Sequence, residues 1–302
     1  MLDIVGKRYL FFGVSLLVIV PGLIALLLWG MPSGIDFTGG SLLEVEFDSG
    51  VAPQPSQIRE LYTQSGFDDS LVQTSGSAII IVRSKSMPDS SKGEIIREME
   101  SRFGSTITVR RFESVGPSVG KEVAARAALA VAIAAIFIML YITYAFRGVA
   151  HAFRYGTSAI IAMLHDVAVV IGVEAILGHF LGWEADALFL TALLTVIGFS
   201  VHDTIVVFDR IRENSTLYRR LPYQTLVNHS IVQTLDRSIN TQLTVMITLL
   251  ALVLLGGETT RHFVTILLVG IFSGTYSSIF NAASLLVVWE NREWRTWFRT
   301  AK

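Results

Sequence analysis

The sequence has no cysteine and little charge. The absence of cysteine from its 302 residues excludes a disulfide framework, a cysteine-based zinc site and a thiolate nucleophile. Charged residues make up 16% of the chain, whereas a soluble protein carries about 25%. The formal net charge is -1, so there is no global positive field that would favour a nucleic-acid partner. The hydrophobic content of 52%, with a mean hydropathy of +0.56, instead indicates a membrane protein.

The few charges are unevenly distributed. Residues 31–122 hold 22 of the 49 charged residues and have a net charge of -4. We therefore expect four regions: residues 1–30 with the first membrane helix, a domain of residues 31–122, further membrane helices in residues 123–290, and a tail of residues 291–302.

Six segments are long and apolar enough to cross about 30 Å of hydrocarbon, which takes about 20 residues in a helix. They are Tyr9–Trp29, Val123–Phe146, Tyr155–Leu177, Ala187–Phe208, Ile239–Leu255 and Phe263–Trp289. The first has the length of an uncleaved signal anchor. Pro222 opens an amphipathic run that either lies on the membrane surface or extends the fifth helix.

The positive charges predict the orientation, since cytoplasmic loops are rich in Lys and Arg. With both termini in the cytoplasm, the inner segments carry Lys7, Arg8, Arg147, Arg154, Arg210, Arg212, Arg219, Arg220, Arg292, Arg295, Arg299 and Lys302. The two short outer loops then carry only Arg261. We expect a multi-pass protein of the cytoplasmic membrane, with residues 31–122 outside the cytoplasm.

The charged domain alternates between strand and helix patterns. The predicted elements are a strand at Ser41–Phe47, a helix at Ser56–Ser65, strands at Ser70–Thr74 and Ala78–Arg83, a helix at Ser90–Phe103 and a strand at Thr106–Phe112. The order βαββαβ is that of a ferredoxin-like α+β domain. It lies between the first and second of the six membrane helices.

A glycine-rich stretch, Gly34–Gly40, precedes the first strand. It lacks the Lys and Ser/Thr that follow the glycines of a phosphate-binding loop. We therefore expect a tight turn at which the backbone approaches a neighbour closely.

Ionisable residues inside membrane segments are functional candidates, because a charge at the bilayer centre costs on the order of 3 kcal/mol. Asp203 lies roughly 10 Å from the cytoplasmic end of the fourth helix, and Arg237 begins the fifth. A pair between them is feasible, although Arg237 could instead extend to the interface. Polar residues that recur every three or four positions should face the bundle interior. They are Asn240, Thr241, Thr244 and Thr248.

Two His-Asp dipeptides also lie in these helices. His165 and Asp166 are interpreted as a hydrogen-bonded pair inside the bundle, while His202 and Asp203 need not touch. No third or fourth ligand accompanies either dipeptide, so we predict no metal site. In the sixth helix, small and polar residues recur every three or four positions, which indicates close helix packing: Gly270, Gly274, Ser277 or Ser278, and Asn281.

Five motifs together resemble the SecF members of the SecD/SecF protein-export membrane protein family, part of the resistance-nodulation-division superfamily. They are Gly34–Gly40 (GIDFTGG), Val115–Gly120 (VGPSVG), Leu164–Val167 (LHDV), Gly198–Asn214 (GFSVHDTIVVFDRIREN) and Arg237–Thr241 (RSINT). The string in the fourth helix is the most specific, and the resemblance covers nearly the whole chain.

The resemblance implies a function that composition does not supply. A SecF-type protein works with SecD beside the SecYEG channel and uses the proton-motive force to move preproteins across the membrane. YajC and YidC are further candidate partners. The family's proton-path residues map onto Asp203 and Arg237, with His165, Asp166, His202, Asn240 and Thr241 as candidate supporting residues. Our hypothesis is that Asp203 alternates between a protonated state and a pair with Arg237. The resemblance implies no cofactor beyond the proton gradient.

Three other classes of function stay open at this point. One is a structural translocon subunit that carries no protons. Another is half of a proton-coupled small-molecule exporter, although those proteins usually hold two six-helix repeats in one chain. The last is an intramembrane enzyme, which we do not expect because no nucleophile–base pair can be placed.

Overall fold

The structure, a computed structural model, describes residues 2–149 and 151–293, without the side chains of Glu258 and Thr259. The chain divides into two compact units, one formed by Ser33–Leu129 and the other by the residues on either side of it. The predicted tail lies outside the described residues from position 294 onward, as do three of the predicted cytoplasmic charges, Arg295, Arg299 and Lys302.

The helices and strands of the described residues follow in this order along the chain. They are α1 (Arg8–Trp29), α2 (Ile35–Thr38), β1 (Gly40–Phe47), α3 (Pro55–Gln64), β2 (Leu71–Ser75), β3 (Ile79–Ser84), α4 (Asp89–Phe103), β4 (Ile107–Val115), α5 (Pro117–Ala145), α6 (Ala152–Leu181), α7 (Ala187–Leu217), α8 (Tyr223–Leu255), α9 (Glu258–Tyr276), a π-helix (Ser277–Ala282) and α10 (Ala283–Glu290). A short 3₁₀ helix, Val5–Lys7, precedes α1.

Six helical segments in the described residues are long and apolar enough to cross a membrane, as the hydropathy pattern predicts. They are Val5–Trp29, Pro117–Ala145, Ala152–Leu181, Ala187–Leu217, Tyr223–Leu255 and Thr260–Glu290. The last of them combines α9, the π-helix and α10. Helix α8 begins directly after Pro222 and runs without a break to Leu255, so the amphipathic run extends the fifth membrane helix.

The unit of residues 33–129 contains a four-stranded antiparallel sheet in the order β2-β3-β1-β4. In β1, Leu43, Val45 and Phe47 are buried because alternate residues of a strand point to the same face. They pack against α3 and α4 through Ile58 and Met99, among others. Gly104, in the left-handed conformation, ends α4.

The glycine-rich stretch has a different local structure from the predicted turn. Its residues Ile35–Thr38 form one helical turn, α2, and the chain then reverses at Gly39 with φ +74°. A Cβ on Gly39 would lie 2.5 Å from the Cα of Pro117, the first residue of α5. The expected close approach of the backbone is therefore present, and only glycine fits it.

In the helical unit, the membrane helices differ in how much of their surface the chain itself covers. The most apolar stretches of α6, α7 and the sixth segment are 44%, 50% and 56% buried, whereas those of α5 and α8 are 0% and 11% buried. Helices α7 and α9 pack closely, since a Cβ on Gly270 would meet the side chain of Val196 at 2.1 Å. The interior of this unit is thus formed mainly by α6, α7 and the sixth segment.

Candidate functional site: two buried carboxylates

Asp203 is buried in the middle of α7, with 4% of its surface exposed. Its Oδ2 atom accepts a hydrogen bond from the Gln242 side-chain amide of α8. His202 lies beside it on the outer face, with Nδ1 3.6 Å from Asp203 Oδ1 and a side chain that is 68% exposed. The sequence did not require these two neighbours to touch, and the structure places them within electrostatic range but beyond hydrogen-bonding distance.

Arg237 lies on the exposed face of α8. Within the described residues, it forms no ion pair with Asp203, so the structure does not bring the two predicted proton-path residues together. The polar stripe next to it is exposed as well, at Asn240, Thr241, Thr244 and Thr248. The prediction that this stripe faces the interior of the bundle is wrong for this chain.

A second polar face of α8 points inward instead. Thr234, Ser238 and Gln242 are buried and lie four residues apart, so they share one side of the helix. Sequence reasoning missed Gln242, although a glutamine in a membrane helix four residues after a serine was a usable signal. Because this face packs on the bundle, the stripe that begins at Asn240 is turned outward.

Asp166, in α6, is fully buried and is the centre of a cluster of hydrogen bonds from three helices. Its Oδ1 accepts from Ser273 Oγ at 2.7 Å and lies 2.9 Å from His165 Nδ1. Its Oδ2 accepts from Ser200 Oγ at 2.5 Å and from Ser277 Oγ at 2.7 Å. The interpretation of His165 and Asp166 as a hydrogen-bonded pair inside the bundle is confirmed, and the serines are additional partners that the sequence did not reveal.

The π-helix connects this cluster to α7. Ser278 donates to the Ser200 carbonyl at 3.1 Å, and its hydroxyl lies 3.0 Å from that of Thr204. Gly274 permits this contact, because a Cβ there would lie 3.2 Å from the Cβ of Ser200. Short π-helical segments are frequent at functional sites, and this one contributes Ser277 to Asp166.

A third buried acid lies farther along α6. Glu174 is fully buried, and its Oε2 lies 2.8 Å from His262 Nε2 of α9. The indole of Trp183 covers the same histidine, with ring centroids 4.6 Å apart. Among the described residues, no group of three His, Asp or Glu side chains is placed to hold a metal ion.

The arrangement therefore holds two contrasting carboxylates on neighbouring helices. Asp166 accepts hydrogen bonds from three serine hydroxyls and lies beside the His165 ring nitrogen inside the bundle. Asp203 has one hydrogen bond from Gln242 among the described residues and lies next to an exposed polar surface. Ser200, which donates to Asp166, is three residues before Asp203 on α7, so Asp203 lies about one helical turn from this partner of Asp166.

Comparison with known families matches most of the chain. The model for the C-terminal region of the protein export membrane proteins SecD and SecF matches residues 95–292. The model for the SecD/SecF GG motif matches residues 34–51, which include the reversal at Gly39.

Two similar proteins are named protein translocase subunit SecF. The one from Anaerolinea thermophila is 60% identical and aligns with 99% of this chain and 97% of its own length. The one from Thermobaculum terrenum is 50% identical, also over 99% of this chain and 97% of its own length.

A crystal structure of SecDF from Thermus thermophilus, described as a translocon-associated membrane protein, has the same fold. It matches 96% of this chain with a TM-score of 0.82 and 35% identity, and this chain spans 39% of its length. Together with the agreement over nearly full length with the SecF relatives, these matches show that the chain belongs to the SecD/SecF family of protein-export membrane proteins, as a multi-pass translocase subunit of the SecF type.

Proposed function

We propose that this subunit uses the proton-motive force, with Asp203 as its proton carrier, to help move preproteins across the cytoplasmic membrane. The observation that carries the proposal is the environment of Asp203. Its carboxylate is 4% exposed in a membrane helix, yet Gln242 supplies its one hydrogen bond from the described residues. A carboxylate with spare acceptor sites in so apolar a place is costly when ionised, so a proton on it changes the local energy substantially.

The energy that one proton supplies on crossing the membrane is of the size needed to change the conformation of the subunit. One proton crossing 100 mV supplies about 2.3 kcal/mol. This is too little to unfold a domain, but it is enough to shift the balance between two arrangements that bind substrate differently. We propose that Asp203 is neutralised in one arrangement by a proton and in the other by Arg237. Arg237 is separate from it in the present arrangement, so reaching that pair requires α7 and α8 to shift.

The exposed polar face of α8 supports a SecD-type partner. Arg237, Asn240, Thr241, Thr244 and Thr248 would be poor lipid surface, and only 11% of the most apolar stretch of this helix is buried within the chain. In the matching SecDF structure the corresponding region is 39% of a longer chain. We propose that a SecD-type half covers this face and that the pair acts beside SecYEG, with YajC and YidC as further candidate partners.

The orientation and the sheet domain complete the proposal. The excess of twelve Lys and Arg residues against one supports an orientation with both termini in the cytoplasm. The βαββαβ unit then forms a ferredoxin-like domain outside the cytoplasm, between the first and second membrane helices. We propose that it contacts the emerging preprotein and that the subunit acts in transport, without enzyme chemistry or a cofactor other than the proton gradient.

The test is Asp203→Asn in membrane vesicles that hold the complete complex. Asparagine keeps the size of the side chain but cannot ionise, so we expect translocation to lose its dependence on the proton gradient while the complex still assembles. Asp209→Asn is the matched control, because Asp209 lies on the same helix with its side chain 55% exposed and paired with Arg212. Gradient-dependent translocation at the normal rate in Asp203→Asn would refute the proposal.

A further inference from the structure

Gln242 contacts the proposed proton carrier with only one half of its side-chain amide. The residue is 3% exposed, and its Nε2 atom donates to Asp203 Oδ2. Its other polar atom, Oε1, is buried and has no hydrogen-bond partner among the described residues. A buried acceptor without a donor is costly. The amide therefore satisfies the carboxylate in its ionised form, while its own oxygen is left without a hydrogen bond.

A hydroxyl on the same face of α8 is also unpaired. Ser238 is 3% exposed, and its Oγ atom is buried without a hydrogen-bond partner in the described part of the chain. It lies four residues before Gln242, and side chains four residues apart on a helix are neighbours. A serine hydroxyl can accept a hydrogen bond from an amide. Ser238 is therefore an available acceptor for the Gln242 amide nitrogen when that nitrogen turns away from Asp203.

A proton on Asp203 reverses what this acid requires from Gln242. An ionised carboxylate only accepts hydrogen bonds, whereas a carboxylic acid has one O–H group that donates. With the proton on Oδ2, the acid would point a donor at the amide nitrogen, which is a donor itself. A half-turn of the amide about its last side-chain bond would bring Oε1 to the acid and Nε2 toward Ser238. All three side chains would then have a partner, and Asp203 and Gln242 would stay in contact.

We propose that Gln242 is a positioning residue of the proton step, and that its side-chain amide turns over each time Asp203 Oδ2 gains or loses a proton. On uptake, the proton forms an O–H bond with Oδ2, and this group donates to Gln242 Oε1. On release, the amide turns back and its Nε2 donates to the ionised carboxylate. The inference rests on the proposed proton-coupled function, which supplies the proton, and the step needs no other reactant.

His202 is the titratable group beside Asp203 among the described residues. Its Nδ1 lies 3.6 Å from Oδ1, which is the carboxylate oxygen that Gln242 does not contact. The neighbouring helices contribute titratable groups that are exposed or bonded to other partners: Asp236 and Arg237 on α8, His165 and Asp166 on α6, and Tyr276 on α9. A proton on Oδ2 therefore acts first on Gln242.

The test is infrared difference spectroscopy of the complete complex in lipid vesicles, with carbon-13 at the side-chain carbonyl of its glutamines. Acidification that protonates Asp203 should produce a carboxylic-acid band that is absent from Asp203→Asn. We expect one labelled glutamine band to move to lower frequency together with it, because Oε1 gains a donor. This change should be lost in Gln242→Leu and in Asp203→Asn. It should persist in the control Gln224→Leu, which changes a half-buried glutamine near the start of the same helix.

Two spectroscopic outcomes would overturn the inference. One is a carboxylic-acid band of Asp203 that appears without any change of a glutamine band in the unsubstituted protein. This result would place the proton on Oδ1, where the amide has no reason to turn. The other is a glutamine band that still changes in Gln242→Leu, since it would come from a different residue.

Translocation by the same variants gives a second measurement. Leucine is similar in size to glutamine but neither donates nor accepts, so the ionised acid loses its hydrogen bond. We expect gradient-dependent translocation to fall about tenfold in Gln242→Leu, as loss of a hydrogen bond to a charged group predicts, and to stay normal in Gln224→Leu. A normal rate in Gln242→Leu would equally reject the proposal.

The labelled spectra decide the question even where Gln242→Leu fails to assemble, because they compare the unsubstituted protein with Asp203→Asn. Failure of this inference is also distinguishable from failure of the proposed function. Translocation in Asp203→Asn tests proton coupling itself, whereas the glutamine band tests whether the amide of Gln242 follows the proton.

Discussion

The surroundings of Asp166 and Asp203 differ in how completely the chain satisfies a buried acid. Asp166 is enclosed by α6, α7 and the sixth segment, with three serine hydroxyl donors and the His165 ring nitrogen around its two oxygens. Asp203, a helical turn away from Ser200, has the amide of Gln242 and an exposed histidine at 3.6 Å. A satisfied carboxylate holds helices together, whereas one with spare acceptor sites gains most from a proton or a cation.

This difference follows from where the small polar residues lie. Ser200, Ser273 and Ser277 are on helices whose glycines allow close contact, so their short side chains can reach a carboxylate on a third helix. Asp203 instead receives its hydrogen bond from α8, and only 11% of the most apolar stretch of that helix is buried within the chain. Asp203 therefore lies at the edge of the part of the bundle that this chain forms, where a partner subunit can influence it.

Removal of each carboxylate should show the largest difference in stability between the surroundings of Asp166 and those of Asp203. Asp166→Ala leaves three serine hydroxyls and His165 without their acceptor, so we expect a loss of about 2–3 kcal/mol in the free energy of unfolding. Asp203→Ala removes one hydrogen bond together with the cost of burying the acid, so its effect should stay within about 1 kcal/mol. Reversible unfolding in mixed micelles measures both. An equal loss in the two variants would show that the environments do not differ as described.

Loss of a single hydrogen-bond donor of the Asp166 cluster should lower the free energy of unfolding less than loss of the carboxylate itself. Ser273→Ala removes one of the four hydrogen bonds, and polar contacts between membrane helices average about 0.6 kcal/mol. We expect a loss of that size in the same unfolding measurement. The control is Thr248→Ala on the exposed stripe of α8, where the hydroxyl bonds to the Thr244 carbonyl of its own helix. A larger loss for Thr248 than for Ser273 would contradict the assignment of the interior face.

Much of the fold could be predicted because its signals are local. Hydropathy predicted the six apolar helices, alternation with period two predicted β1, and two short apolar runs around a turn predicted β2 and β3. The His165–Asp166 pair was also within reach, since ionisable residues in an apolar helix need partners. Each of these signals depends on neighbours in the sequence.

The rest depends on which helices meet in space. Helix α8 carries two polar faces with similar spacing, one through Ser238 and Gln242 and one through Asn240 and Thr244, and periodicity could not tell which was internal. Of the serines around Asp166, Ser277 was predicted only to help helices pack, and Ser200 and Ser273 gave no signal, because single serines are common in membrane helices and only their convergence on one carboxylate marks them. The prediction that Asn240 faces the bundle interior was wrong because it assumed that this chain alone covers all of its polar helix surface.

Arg237 tests whether the exposed polar face of α8 acts only when a partner subunit is present. Because it is exposed in this chain, Arg237→Ala should change the free energy of unfolding of the isolated subunit by less than about 0.5 kcal/mol. In the complex, the same substitution should abolish gradient-dependent translocation, since the proposed counter-ion of Asp203 is missing. Arg220→Ala, an exposed arginine between α7 and α8, should leave both measurements unchanged. Normal translocation in Arg237→Ala would assign the arginine to the surface alone, and a large loss of stability in the isolated subunit would mean that it already contacts the bundle.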